Sequence, residues 1–378
     1  MPAQRDWPDR ATPARSRIVF AAAHVVADVR VGAGATPARL DWDATLRFRH
    51  RIWSLGLGVA DALDTAQRGM GLDWLAAREL ILRSGAEARA VGGRLCCGAG
   101  TDQLPAGRAS LGDIVAAYEE QLSVVDQAGA QPVLMCSRAL AASARGPDDY
   151  AKVYGALLGQ VTRPVILHWL GGMFDPALRG YWGSTDLDAA AEHVLAIIGA
   201  HPGRVDGIKV SLLDAGREVA LRRRLPPGVR LYTGDDFNFA ALIGGDADGF
   251  SDALLGVFDP LAAPAAVALG LLDAGDVAGF RAVLDPLVPL ARHIFAAPTQ
   301  FYKTGVVFLA WLSGYQDQFV MVGGQQTGRD RPHLAQLFRL AADAGLFPDA
   351  GLAAERMRQY LDGPGGLEVL DGLDGLDG

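Results

Sequence analysis

Lysine is the residue that this sequence uses most sparingly for its positive charge. Among 35 lysine and arginine residues, only Lys152, Lys209 and Lys303 are lysines. Arginine stays protonated in proteins, whereas a desolvated lysine can lose its proton and attack a carbonyl carbon. A lysine inside an apolar strand of such a chain therefore directs attention to amine chemistry.

Cysteine and long apolar runs are scarce as well. The three cysteines are odd in number, and Cys96 and Cys97 are adjacent in an apolar segment, which fits neither a disulfide framework nor a zinc site. Residues 1–17 carry no apolar signal-peptide core, and no uncharged apolar run reaches the ~18 residues of a membrane span. The net charge of −8 disfavours non-specific nucleic-acid binding. We expect a cytoplasmic protein that binds neither nucleic acid nor membranes.

Short apolar segments that alternate with helical patterns are what the sequence has in abundance. This alternation predicts a parallel sheet, and eight repeats predict an α/β fold closed into a (β/α)8 TIM barrel. The barrel is expected to span 17–260, between a polar N-terminal extension (1–16) and a C-terminal helical region (261–361), with a low-complexity tail (362–378). The predicted strands are 17–27, 56–63, 93–98, 131–137, 163–170, 206–213, 229–234 and 248–251.

The sixth predicted strand carries Lys209. Strand alternation places Gly207, Lys209 and Ser211 on one face and aliphatic residues on the other, which helices would cover. The lysine then faces the barrel interior, where burial favours a neutral amine. The alternative is a lysine at a strand end whose amine reaches water or pairs with an acid. This stretch alone fits both interpretations.

The active site of such a barrel lies at the C-terminal ends of its strands. His168 is near the end of the fifth predicted strand, and neighbouring strands lie ~5 Å apart, so it is expected to meet Lys209. Schiff-base formation needs an amine beside a proton shuttle, which makes Lys209 and His168 the predicted catalytic residues. The remaining residues at strand ends are expected to bind substrate: Thr65, Gln67, Thr101, Asp102, Gly234, Asp235, Asp236, Asn238 and Ser251.

Structural roles compete with these assignments. A histidine on an apolar strand is also typical of a satisfied core residue. At least one of Asp235 and Asp236 is expected to cap the next short helix. Lys303 is expected to be structural or to lie at an interface, and residues 246–249 are expected to form a turn into the eighth strand rather than a metal loop.

Three stretches together resemble the dihydrodipicolinate synthase and N-acetylneuraminate lyase superfamily of class I aldolases. In that family a lysine on the sixth strand forms a Schiff base with a 2-keto acid, and Gly207-Ile208-Lys209 matches its context. Gly234-Asp235-Asp236 matches the family's Gly-Asp-Asp after the seventh strand, and Gly249-Phe250-Ser251 approximates its Gly-x-x-Ser. Extra C-terminal helices are a further likeness. Within the superfamily, the sequence is identified as a member of the branch labelled domain of unknown function 993.

Two departures from the family pattern concern the substrate. The family's Gly-Thr-Thr-Gly-Glu loop after the second strand grips the carboxylate of the keto acid, whereas residues 64–69 here read Asp-Thr-Ala-Gln-Arg-Gly. His168 takes the place of the family's proton-relaying tyrosine on the fifth strand. The resemblance implies a Schiff-base-forming lyase or aldolase without a cofactor or metal, and it leaves the substrate open between a keto acid and a keto sugar.

Other classes of function remain open from the residues alone. One is a metal-dependent barrel isomerase or lyase of the sugar type, with His168, Asp102, Asp235 and Asp252 as ligands. Another is a barrel that binds a metabolite without catalysis. For assembly, we expect a homodimer or homotetramer, because the apolar stretch 306–312 is more than one barrel obviously covers and because the family assembles from dimers.

Overall fold

Eight short parallel strands form the centre of the chain in a computed structural model, which describes residues 6–30 and 35–363. In chain order the strands are β1 (Val19–Ala22), β2 (Gly58–Asp61), β3 (Leu95–Ala99), β4 (Gln131–Leu134), β5 (Val165–Leu170), β6 (Val205–Ser211), β7 (Arg230–Thr233) and β8 (Asp252–Leu255). Each strand pairs with its neighbours in sequence, and β1 closes the barrel by pairing with β8. The predicted (β/α)8 barrel is confirmed.

Helices surround the barrel and continue beyond it. Those that follow β1 to β7 are α1 (Trp42–Ser54), α2 (Trp74–Val91), α3 (Leu111–Gln127), α4 (Arg138–Ser143), α5 (Pro147–Gln160), α6 (Leu187–Ala200), α7 (Ala215–Arg222) and α8 (Phe239–Gly244). Those that follow β8 are α9 (Ala262–Asp273), α10 (Val277–Leu284), α11 (Val288–Ile294), α12 (Tyr302–Leu312), α13 (Arg331–Asp343) and α14 (Ala350–Asp362). The predicted C-terminal helical region is therefore present.

Side-chain caps fix where several of these helices begin. The carboxylate of Asp73 accepts a hydrogen bond from the Ala76 amide at the start of α2, and the Ser110 hydroxyl accepts one from the Asp113 amide at the start of α3. Such caps satisfy amides that the helix itself leaves unpaired. Helix α2 continues to Val91 and ends where Gly92 takes a left-handed conformation, with φ 67°.

The barrel interior below the strand ends is filled with apolar side chains. Outward-facing aliphatic residues of β6, such as Ile208 and Val210, belong instead to the outer core between sheet and helices. The alternation predicted for β6 is thus the one observed. An inner cluster of side chains fills the barrel, which is therefore a packed core and not a pore. The cluster consists of Phe20, Ala22, Ala60, Leu63, Cys96, Val133, Met135, Ile166, Tyr232 and Leu254.

The eighth strand lies later in the chain than predicted. Residues 248–251 precede it, and β8 is Asp252–Leu255. Asp246 forms a bridge with Gly249, whose φ of 136° suits glycine, and the Phe250 side chain is 44% exposed. The turn expected at 246–249 is present, but the strand that follows it begins at Asp252 rather than at Asp248.

The C-terminal helices cover the apolar stretch that had suggested an oligomer. Every residue of α12 is buried within the single chain, where α12 packs against α11, α13 and α14. The apolarity of residues 306–312 therefore gives no reason for a partner subunit. A homodimer or homotetramer stays a prediction. No helix among residues 6–30 and 35–363 is long and apolar enough to cross a membrane. Residues 364–378, most of the predicted tail, lie outside the described part.

Candidate active site

Lys209 lies on the inner face of β6, near the C-terminal end of the strand. Its side chain is 7% exposed, and burial lowers the pKa of its amine, while the negative charges of Asp64 and Asp236 act in the opposite direction. Gly234, at the end of β7, leaves room for this side chain: a Cβ on Gly234 would overlap the Ser211 hydroxyl and lie 2.8 Å from Lys209 Cε. The neutral amine that nucleophilic attack requires is thus favoured by the surroundings of Lys209.

His168 lies directly beside Lys209 on the neighbouring strand. The two residues are register partners in the β5–β6 ladder. The imidazole is fully buried, and burial together with the Lys209 charge holds its pKa well below the ordinary histidine value. Its Nε2 lies 3.3 Å from the Ser211 hydroxyl oxygen, while its Nδ1 has no hydrogen-bond partner. A neutral imidazole with one free nitrogen can accept or return a proton.

Asp64 completes the group around the lysine. It opens the 3₁₀ turn Asp64–Ala66 after β2, in a loop where Ala62 and Gln67 take left-handed conformations with φ of 52° and 67°. Its Oδ2 is buried without a hydrogen-bond partner and lies 4.0 Å from Nδ1 of His168. From the sequence, Asp64 is the first residue of the loop 64–69 and was assigned no role of its own.

The two acids after β7 have different environments. Asp235 accepts hydrogen bonds from the amides of Phe237 and Asn238, at 2.9 and 3.0 Å, and from the Asn238 side chain at 2.8 Å. It therefore orders the turn that precedes α8, whereas the N-cap of α8 is Asn238 without a side-chain cap, so neither acid caps the helix as predicted. Asp236 accepts from the Val257 amide at 2.8 Å, and burial raises the pKa of its carboxyl to about 7, against the opposing effects of this hydrogen bond and of Lys209.

A cavity of about 690 Å³ opens at the strand ends and includes Asp64 and His168 in its wall. Thr101 and Asp102, both predicted to bind substrate, also line this cavity. The Thr101 hydroxyl is hydrogen-bonded to the Ser137 hydroxyl at 2.6 Å, and Asp102 holds Arg68 through two hydrogen bonds. Both residues thus shape the cavity through contacts within the protein.

Three predicted substrate-binding residues have other partners. The Gln67 amide donates to the carbonyls of Met70 and Val322, at 3.1 and 2.9 Å, and so ties the loop after β2 to the C-terminal region. Ser251 precedes β8, is fully buried, and donates to Glu218 at 2.8 Å on the outer side of the strands. The structure therefore does not bring Ser251 to the site. Asn238 accepts from Arg292 at 3.3 Å.

Helix α12 brings two residues to the site that sequence reasoning missed. The Tyr302 hydroxyl is 2.8 Å from the hydroxyl of Thr65, a predicted site residue. Lys303 is 4% exposed, and burial lowers the pKa of its amine to about 8, while the charge of Asp64 opposes this shift. Its amine contacts the Met70 sulfur at 3.4 Å and the Gln300 carbonyl at 3.2 Å. The scarcity of lysine, which identified Lys209, was an equally good signal for Lys303.

No group of three or more His, Cys, Asp or Glu side chains that could hold a metal ion occurs in the described residues. His168 and Asp64 approach each other as a pair, while Asp102 is occupied by Arg68 and Asp235 by the turn before α8. Asp252 accepts from the Ile18 amide at 2.7 Å. The four ligands of the metal-dependent hypothesis do not converge on one point.

Solved structures with the same architecture are dihydrodipicolinate synthases and their relatives. The enzyme from Aquifex aeolicus has a TM-score of 0.67 at 11% identity, covering 87% of this chain and 98% of its own. The enzyme from Thermotoga maritima has a TM-score of 0.65 at 14% identity, covering 88% and 100%. A prophage protein of the dihydrodipicolinic acid synthase family from E. coli, solved in complex with pyruvate, has a TM-score of 0.66 at 14% identity, covering 87% and 99%.

These likenesses define the class of the fold: a (β/α)8 barrel of the dihydrodipicolinate synthase type with C-terminal helices. The chain itself belongs to the family described as "Protein of unknown function (DUF993)", which matches residues 1–365. A search of the curated proteins finds no match.

Proposed function

We propose that this protein is a class I aldolase-like lyase, which forms a Schiff base between Lys209 and a small keto acid or keto sugar and breaks or makes a carbon–carbon bond. The observation that carries the proposal is a single one. A buried lysine with a lowered pKa faces the lumen at the strand ends and has a neutral, fully buried histidine as its register partner.

Imine formation is the first step that this arrangement supports. The neutral amine of Lys209 attacks the carbonyl carbon, and the resulting carbinolamine takes up one proton from solvent and loses water to give a protonated imine. His168, beside the lysine, is the group that moves protons between the carbinolamine hydroxyl and the amine nitrogen. The inner apolar cluster below Lys209 limits the access of water from that side.

The imine then serves as the electron sink for the carbon–carbon step. The bond between Cα and Cβ of the substrate then breaks: the hydroxyl on Cβ gives its proton to solvent and becomes the carbonyl of the released fragment, while the bonding pair moves toward the iminium nitrogen and leaves an enamine. Protonation of the enamine and hydrolysis of the imine by water release the product and restore the amine of Lys209. No oxidant, reductant or metal is required for this sequence of steps.

Borohydride trapping with mass mapping tests the proposal, because reduction fixes an imine as a stable secondary amine. A panel of 2-keto acids and keto sugars is expected to yield an adduct on Lys209. Lys209→Arg keeps the charge but forms no imine, so it should fold and give no adduct. Lys303→Arg and Lys152→Arg are matched controls and should leave the Lys209 adduct in place. An adduct on Lys303 or Lys152, or an active Lys209→Arg chain, would overturn the mechanism.

A further inference from the structure

Two buried polar atoms face each other at the strand ends without a hydrogen-bond partner. They are Nδ1 of His168 and Oδ2 of Asp64, 4.0 Å apart. A direct N–H···O bond requires about 2.7–3.2 Å between the heavy atoms, so these two atoms do not satisfy each other. The gap does allow one oxygen atom of a bound molecule to contact both, because such an oxygen sits off the line that joins them. Unpaired buried polar groups are costly, and they mark a place where a partner is expected.

A small molecule can reach this gap. Asp64 and His168 both contribute to the wall of the cavity of about 690 Å³, and Lys209 is the register partner of His168. Among the charged residues that act on the Lys209 amine, Asp64 has the largest effect, and it opposes the lowering of the pKa by burial. The gap between Asp64 and His168 is thus the part of the cavity wall that lies beside Lys209, which does not itself line the cavity.

The charged residues around Lys209 do not favour a substrate that carries a carboxylate next to its carbonyl. Asp64 and Asp236 are the two acids whose charges act most on Lys209. Within the described residues, no lysine or arginine nitrogen forms an ion pair with either of them. The amine of Lys303 contacts the Met70 sulfur and the Gln300 carbonyl. The negative charge of Asp64 acts on this amine and opposes the lowering of its pKa by burial. A carboxylate beside the imine would place a further negative charge among these acids, and the two arginines of the cavity wall, Arg68 and Arg138, are already held by Asp102 and Asp175.

We infer that Asp64 and His168 bind a substrate hydroxyl next to the reacting carbonyl, so that the substrate is a hydroxyketone rather than a 2-keto acid. The inference rests on the proposed function. Once the imine has formed and His168 has completed its proton transfer, the Ser211 hydroxyl donates to Nε2 of His168, Nδ1–H donates to the substrate hydroxyl, and that hydroxyl donates to Oδ2 of Asp64. A carboxylate at the same place has no hydrogen to give to Asp64. Asp64 is therefore a specificity-determining residue.

A matched pair of three-carbon ketones provides the test, because hydroxyacetone and pyruvate differ in whether a hydroxymethyl group or a carboxylate adjoins the carbonyl. Each compound is incubated with the wild-type chain, quenched with borohydride, and the adduct on Lys209 is quantified. Hydroxyacetone is expected to label Lys209 faster than pyruvate by a factor on the order of 10 to 100, as befits one hydrogen bond to a charged acceptor. Equal labelling, or faster labelling by pyruvate, overturns the substrate class and leaves imine formation standing.

Asp64→Asn assigns the preference to Asp64. The removal of a negative charge also changes the reactivity of the Lys209 amine, but this change affects both ketones and cancels in their ratio. The hydroxyacetone-to-pyruvate ratio is expected to fall on the order of tenfold or more in Asp64→Asn. Asp188→Asn, an exposed charge deletion in α6, should keep the wild-type ratio. An unchanged ratio in a folded Asp64→Asn chain overturns the role of Asp64.

A third measurement needs no imine and separates the two proposals. The Lys209→Met chain is mixed with 1,2-propanediol or with lactate, the reduced forms of the two ketones, and contact is measured by saturation-transfer NMR. Contact with 1,2-propanediol that Asp64→Asn abolishes is the expected result. If it occurs while neither ketone labels Lys209, the Schiff-base function fails and the hydroxyl site stands. If only lactate binds, or if neither compound binds, the inference fails.

Discussion

His168 and Lys209 are register partners on β5 and β6, and Nε2 of His168 lies 3.3 Å from the hydroxyl of Ser211, two residues after the lysine. The lysine charge is a cause of the low histidine pKa, and the histidine is fully buried. Under the proposed function, these two side chains, in register on adjacent strands, are expected to act as one unit.

We expect the effects of replacing His168 and Lys209 to be strongly non-additive. His168→Ala should lower turnover of a ketone that labels Lys209 by about 10²- to 10⁴-fold. Lys209→Ala should abolish the imine, and the double variant should be little worse than Lys209→Ala alone. Steady-state kinetics on the three variants measure this. Near-full activity of His168→Ala would remove the histidine from the mechanism.

Gly234→Ala should remove imine formation while the barrel stays folded. The added Cβ would overlap the Ser211 hydroxyl and crowd Lys209 Cε at 2.8 Å, so the lysine must leave its position. Borohydride labelling measures the loss, and circular dichroism checks the fold. Gly199→Ala in α6 is the matched control, because nothing lies within 4 Å of its added Cβ, and it should raise stability by up to about 1 kcal/mol. Wild-type labelling of Gly234→Ala would show that the lysine is not confined there.

Imine formation should rise with pH, and Asp236 should set where it rises. Only the neutral amine attacks, and burial lowers the pKa of Lys209 from its ordinary value of about 10.4. Asp236, whose own pKa is about 7, opposes this shift when it is ionised. Asp236→Asn removes that negative charge and should move the rising limb of the labelling profile to lower pH. The profile is measured by incubation at each pH followed by a borohydride quench. A shift toward higher pH would contradict the argument.

Glu218 should make the fold less stable as the pH rises. Burial raises the pKa of this carboxyl to about 8, although the hydrogen bonds from Ser251 and Thr233 act in the opposite direction. In the unfolded chain the pKa of a glutamate is about 4.3. Between these two values the folded chain keeps a proton that the unfolded chain loses. The free energy of unfolding should therefore fall from about pH 4.3 to pH 8, by up to about 1.4 kcal/mol per pH unit.

Glu218→Gln isolates this effect, because glutamine resembles the protonated carboxyl, with one oxygen that accepts and one group that donates, and does not titrate. Urea unfolding of the two chains at several pH values is expected to show a flatter dependence for Glu218→Gln and a stability gain near pH 8. Parallel curves for the two chains would show that Glu218 is ionised in the folded state over this range.

Periodicity and turn chemistry were enough to predict most of the barrel from the sequence. Seven of the eight strands overlap their predicted segments, since each is an apolar run bounded by glycine, proline or an acid. The eighth was misplaced because Phe250 and Ser251 look like the end of a strand, whereas the strand is the next segment, Asp252–Leu255. Short apolar runs in close succession leave such a choice to tertiary packing.

The site was predictable only where it depends on strand register. The alternation of side chains along β6 predicted that Lys209 faces inward, and the pairing of β5 with β6 predicted that His168 lies beside it. The contact between Thr65 and Tyr302, 237 positions apart, follows from how the C-terminal helices dock, which no local pattern encodes. The same holds for the position of Lys303 near Asp64.

The ties between the loop after β2 and the C-terminal helices bear on how the protein matures during synthesis. A ribosome that has completed β8 has already delivered Lys209 and His168. The loop still lacks the hydroxyl of Tyr302 and the carbonyl of Val322, which hold Thr65 and Gln67. Because chains fold from the N-terminus as they emerge, the residues that anchor this loop are synthesised after the barrel strands. Under the proposed function, the site is therefore expected to be complete only once the C-terminal helices have been made.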